Sequence, residues 1–167
     1  MATGITQSLL EEYMRIAIQE AQAAKIEGEN PFGAVLLDPE NRFCHKAHTV
    51  SIQTSDPTAH AEVEVIREYC RNTKKVYLKG YTLICSAEPC IMCSGAIKWS
   101  KIENVFYSVS QADINRISGG RPKPSCESLI NTGAGQIHIE GGILYDEGIQ
   151  VFSQYQFIPL DTNRKRT

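Results

Sequence analysis

No stretch of this 167-residue chain approaches the roughly 18 consecutive apolar residues of a bilayer-spanning helix, so no membrane span is expected. Excess charge of either sign is missing as well. Seventeen Lys+Arg stand against nineteen Asp+Glu, a net charge of −2, which is not the basic footprint of a general nucleic-acid binder. A small local basic patch stays compatible with that balance. The opening residues, MATGITQSLLEEYMRIAIQE, lack a basic segment followed by an apolar one, and with it the pattern of a secretory signal peptide. An intracellular, cytoplasmic protein is expected. No internal repeat, low-complexity tract or long Pro/Gly-rich linker divides the chain. It is read as one domain, 1–167, with a polar tail from about residue 159 that ends in Arg164-Lys165-Arg166. So short a basic run is read as solvated tail, with a weak nucleic-acid or targeting role as the alternative.

What is present suits a folded core: 42% of residues are apolar and 22% charged, near the averages for soluble domains. Leu9, Leu10, Tyr13, Met14, Ala17, Ile18, Ala21 and Ala24 recur three and four apart, which predicts an amphipathic helix over 6–25, stopped by Gly28. Phe32–Leu37 reads as a strand, Asp38-Pro39-Glu40-Asn41 as a turn, and Arg42–His48 as the returning strand of a hairpin. Asp56-Pro57-Thr58 opens a second helix with Ala61, Val65, Ile66 and Tyr69 on its core face. A buried strand (81–86), a helix (89–100), another strand (105–109), a loop (118–125), a short strand (136–140) and a helix over 144–157 follow. Strands alternating with helices predict an α/β fold, a three-layer α/β/α sandwich whose sheet is mixed because of the hairpin.

The chemistry concentrates at two helix starts. His60-Ala61-Glu62 begins one, and Pro89-Cys90-Ile91-Met92-Cys93 begins the next. Cys90 and Cys93, three apart on a helix, share a face, so their sulfurs can close on one ion. The helix dipole favours thiolates there. One His and two Cys suit Zn²⁺, and three protein ligands leave a fourth tetrahedral position for water, as in a catalytic zinc site. Glu62 turns about 200° from His60 on an ideal helix, a geometry that can still frame the metal where the helix begins. Its expected role is proton transfer rather than ligation. Two rival readings stay open at this level: a Cys90/Cys93 redox pair, and a structural zinc closed by Cys85, His45 or His48. Cys44, Cys70, Cys85 and Cys126 read most simply as packing cysteines, and His138 as a strand histidine.

The arrangement H-x-E…P-C-x-x-C, with residues 63–88 between its halves, is the recognised pattern of zinc nucleobase deaminases. The segments DPTAHAEVEVIRE (56–68), CSAEPCIMCSGAIKWSKIENVFYS (85–108) and Asn30-Pro31-Phe32-Gly33-Ala34-Val35 resemble the cytidine/deoxycytidylate deaminase superfamily. Within it they look most like bacterial guanine deaminases, with tRNA adenosine deaminases close by. The resemblance implies a five-stranded sheet, one zinc per chain on His60, Cys90 and Cys93, Glu62 as proton shuttle, and a homodimer. It places Phe32 and Trp99 near the substrate ring and gives the Ala61 backbone N–H a substrate oxygen or ring nitrogen to bind. It also raises the exchange of a C-terminal segment around Tyr155 and Phe157 between subunits.

Two departures bear on substrate. The Asn that these families place about ten residues before the zinc His is absent from Lys46–Gln53, where His48 or Thr49 takes the corresponding stretch. The acid that reads the guanine amino group is absent from 117–126, where Arg121 and Lys123 stand instead. The sequence thus predicts a zinc-dependent hydrolytic deaminase of a small amino-substituted heteroaromatic base, with guanine or a related free base first. A tRNA adenosine deaminase, or a cytosine or nucleoside deaminase, is the alternative, and a zinc-stabilised binding module is the non-enzyme one. His48 is taken as a substrate contact along with Phe32, Ala61 and Trp99.

Overall fold

A computed structural model describes residues 4–133, 136–153 and 155–157. Helix α1 (Gln7–Ile26) begins where Thr6 turns its hydroxyl onto the Leu9 N–H, and its apolar stripe (Leu10, Met14, Ala17, Ile18, Ala21, Ala24) is buried as its spacing predicts. The chain continues through β1 (Gly33–Leu37), β2 (Phe43–His48), the short α2 (Ser51–Thr54), α3 (Ala61–Thr73), β3 (Thr82–Ala87) and α4 (Ile91–Ser100). It closes with β4 (Asn104–Val109), α5 (Gln111–Ser118), α6 (Cys126–Ile130), β5 (His138–Glu140) and α7 (Tyr145–Val151). Among the described residues no helix is long and apolar enough to cross a membrane.

The five strands form one mixed sheet in the order β2-β1-β3-β4-β5. β1 pairs antiparallel with both β2 and β3, while β3, β4 and β5 run parallel. The alternation of β1 feeds two cores, one on each face. Val35 and Leu37 pack with α1 and α7, and Ala34 and Leu36 with α3, α4 and α6. The three-layer mixed sandwich expected from the sequence is therefore the fold.

The C-terminal third departs from expectation. The helix expected over 144–157 stops at Val151, because the chain turns at Phe152 and returns its aromatics to the body: Phe157 lies 6.1 Å from the Phe32 ring and stacks on Phe152. Residues 111–118 and 126–130, which carry weak periodicity, are helices capped by Ser110 and Ser125. The basic tail beyond residue 157 lies outside the described residues.

One close approach fixes α1 on the sheet. A Cβ added to Gly33 would fall inside the shell of the Ala17 carbonyl and 2.6 Å from Ala21 N, so only glycine lets the helix backbone lie directly on β1. Gly33→Ala should destabilise the protein by about 2 kcal/mol or more in urea denaturation, as overpacking against an unyielding backbone does.

Candidate active site

Parallel β3 and β4 carry their connections to one end of the sheet, and there the site is built. β3 runs into Glu88-Pro89-Cys90 and then α4, and the segment after β2 runs into His60 and α3. His60 and Cys90 are the N-cap residues of those helices, both in extended backbone, and neither side chain caps its own helix. N-cap positions usually hold Ser, Thr, Asp or Asn that bond back to the first turn. Here the side chains turn towards each other instead.

The Cys90 and Cys93 sulfurs are 3.6 Å apart, and His60 Nδ1 lies 3.7 Å from the first and 3.6 Å from the second. Zn–S bonds of about 2.3 Å and Zn–N bonds of about 2.0–2.1 Å in a tetrahedron require edges of about 3.8 Å (S···S) and about 3.6 Å (S···N). The three atoms thus stand as three corners of a zinc tetrahedron. Among the described residues this is the group of His, Cys, Asp or Glu able to hold a metal, and it has three members. His45 is held by Glu68 at 2.6 Å, His48 is bonded elsewhere, and Cys85 lies buried apart from the cluster. None of them supplies the fourth ligand of a closed structural site.

The three donors are tightly coupled electrostatically. A hydrogen bond from the Cys93 thiol pulls Cys90 down to about 4, against the desolvation of burial and with help from His60. The same hydrogen bond holds the Cys93 proton and pushes that thiol up, and the bond to Cys90 raises His60. Glu62, in the first turn of α3, is buried; burial first, and then the negative Cys90 sulfur, raise its carboxyl above the ordinary value.

His60, Glu62 and Cys90 open on a cavity of about 460 Å³ whose wall includes Phe32, Thr49, Gln111, Asn115, Lys123 and Phe157. Two clefts of about 760 Å³ lie elsewhere and touch none of the cluster. Phe32 lines this cavity, and Ala61, buried, is the first residue of α3. Phe157 reaches the cavity of its own chain, and the Tyr155 hydroxyl donates to the Glu29 carbonyl at 2.9 Å, with Asn30 Oδ1 at 3.1 Å. Within this chain the Tyr155/Phe157 segment packs on its own site rather than being held away from it.

Two expected substrate contacts lie elsewhere. Trp99 is 85% exposed: two residues beyond the buried Ile97, it turns about 200° out of the core and stands on the outer face of α4. His48 ends β2 facing α1, its Nδ1 2.8 Å from Glu20 and its Nε2 3.2 Å from Glu27. Since successive residues of an extended chain face opposite ways, Thr49 takes the cavity wall in its place.

Two buried acids escaped the sequence reading. Both Glu88 oxygens accept backbone N–H groups, from Gln111 at 2.8 Å and Cys126 at 2.7 Å, and so fix the starts of α5 and α6 beside the cavity. Glu29 does the same for α2, accepting from Ile52 at 3.0 Å and Gln53 at 2.6 Å. The signal for Glu88 was a lone acid between an apolar strand and Pro89; Glu29, next to a helix-stopping glycine, carried none.

Residues 7–109 match the family defined as the cytidine and deoxycytidylate deaminase zinc-binding region. The chain belongs to this deaminase family. The matched region is a zinc-binding one, and His60, Cys90 and Cys93 are the described residues that fit the ion. A tRNA-specific adenosine deaminase of Aquifex aeolicus is 43% identical over 98 residues, which is 59% of this chain but only 64% of that protein. The tRNA-specific adenosine deaminase of Buchnera aphidicola subsp. Schizaphis graminum is 32% identical over 144 residues, 86% of this chain and 91% of that one. Among solved structures, the guanine deaminase of Bacillus subtilis superposes with a TM-score of 0.63 at 26% identity, over 93% of this chain and 97% of that one.

Metal analysis of purified protein should find about one zinc per chain, the stoichiometry of a single three-ligand site. Cys93→Ala should lose most of it, because two donors cannot hold the tetrahedron.

Proposed function

We propose that this protein is a zinc-dependent hydrolytic deaminase of an amino-bearing purine, with adenosine in an exposed loop of tRNA as its first substrate. The observation that carries the reaction class is Glu62, a buried carboxylate opening on the same cavity as a three-donor zinc cluster. Zinc bound at the cluster supplies the Lewis acidity that makes water a nucleophile at neutral pH. Glu62 accepts a proton from that water and passes it to a ring nitrogen, then takes the second proton from the hydroxyl now on the ring carbon and gives it to the departing amine. Water and the amino-substituted ring become the oxo ring and ammonia. A carboxyl raised by burial is a stronger base than one in solvent, which suits both halves of that shuttle. Ala61 adds a main-chain N–H from the first turn of α3, where a helix leaves such groups without an internal partner. Phe32 and Phe157 offer aromatic surface to the ring.

The choice of adenosine over guanine reverses the order expected from the sequence. It rests on the tRNA-specific relatives and on the chemistry of the wall. Among the described lining residues the carboxylates are Glu62 and Glu88, and Glu88 is spent on two backbone N–H groups. The guanine amidine edge needs a free acceptor of that kind, whereas adenine offers acceptors to the hydroxyl and amide groups present. A flipped base from a single-stranded loop is the form in which RNA reaches such a pocket, and Lys123 at the wall has the charge to meet a backbone phosphate. Free guanine is the second reading, favoured by the Bacillus subtilis enzyme that shares the fold over 93% of this chain.

A homodimer, as the resemblance implies, is best supported by the outer face of α3 and α4. Exposed Trp99 lines a groove of about 600 Å³ together with Val63, Ile66, Val76 and Tyr77, and Arg67, Arg71, Lys74 and Lys75 stand in the same lining.

Ammonia release should be seen from tRNA, with inosine formed, and should fall steeply with added salt; release from free guanine alone would favour the second reading. Glu62→Gln should keep its zinc while kcat falls about 10²–10⁴-fold, the usual worth of a positioned acid–base group. Trp99→Asp should shift the sedimentation coefficient towards the monomer at micromolar concentration.

A further inference from the structure

Among the described residues, the Thr49 hydroxyl is the buried side-chain oxygen that has no hydrogen-bond partner. The residue is 2% exposed and lies in the wall of the cavity that holds Glu62 and the metal cluster. Folded proteins seldom keep an unsatisfied buried hydroxyl without a use for it. Packing does not account for it either. Valine has nearly the same shape and the same preference for extended backbone, so the oxygen is the part that needs explaining. Its position is fixed by backbone bonds on both sides. Thr49 N–H donates to the Phe32 carbonyl at 3.1 Å, and Val50 N–H to that of Ala59 at 3.0 Å, the residue just before His60. The turn that follows is held by Glu29.

We infer that Thr49 orients the substrate ring by donating its hydroxyl hydrogen to a ring acceptor, an inference that rests on the deaminase reading above. Glu62 serves the proton transfers at the reacting end, Phe32 the face of the ring, and Thr49 one edge; three contacts of different kind fix a planar base in the plane as well as against the wall. A hydroxyl carries one hydrogen and rotates, so it makes a single directed bond and leaves the rest of the ring edge to Gln111 and Asn115. The choice among aminated rings is therefore set in part here.

The test compares zinc-loaded wild type, Thr49→Val and Thr49→Ser in two measurements: melting without substrate, and ammonia release with the tRNA, adenosine and guanine. Thr49→Val should melt at or above the wild-type temperature, because it removes a buried group that the free protein leaves unsatisfied. The same variant should lose roughly ten- to a hundredfold in kcat/KM, the scale of one missing hydrogen bond to a substrate held in a polar site. Thr49→Ser should stay within a few-fold of wild type. A Thr49→Val enzyme as efficient as wild type overturns the inference and leaves the deaminase reading standing. A Thr49→Val protein that melts several degrees lower makes the hydroxyl a structural group and overturns it too. A wild-type protein that releases no ammonia from any of the three overturns the deaminase reading and this inference with it.

Discussion

α3 and α4 begin on residues that do not cap them, and that shared omission places the metal donors. His60 and Cys90 occupy the positions where a side chain normally bends back onto the first-turn N–H groups. Both point across the gap between the helices, and Cys93 one turn into α4 completes the triangle. The edges of that triangle depend on how far apart the two helix starts lie, which the sheet sets through the paired ends of β3 and its neighbours. A shift of a few tenths of an ångström would spoil the tetrahedron, so the precision of the ion site is borrowed from the sheet.

The same end of the sheet is held by buried carboxylates that accept from backbone amides instead of doing chemistry. Glu88 joins α5 to α6, and Glu29 anchors α2. Each replaces lost hydration with two N–H donors, which is how a buried carboxylate stays tolerable. Glu62, close by, keeps its carboxylate on the cavity and stays proton-seeking because burial raises it. Three acids of one chemical kind divide into two roles according to what surrounds them.

Much of this was legible from residue order. The stripe of α1, the β1–β2 hairpin and the His-x-Glu and Cys-x-x-Cys spacings depend on local periodicity, and local periodicity survives into the fold. What was misread depends on orientation. His48 and Thr49 are neighbours in sequence, and only the facing of β2 decides which one meets the cavity. Trp99 sits in a segment rich in site residues, yet its angle around α4 carries it outward. α7 was drawn too long because aromatics that suit a helix pattern serve here to fold the chain back onto Phe32.

Glu29 has a reach beyond its own turn. Its carboxylate holds the amides of Ile52 and Gln53, while its carbonyl takes the Tyr155 hydroxyl. One residue therefore ties Tyr155, near the end of the described chain, to the turn that follows Thr49 and Ser51 in the cavity wall. Tyr155 and Phe157 are thereby part of the chamber's scaffolding, so a substitution at either position bears on the space that receives a ligand as well as on the chain around it.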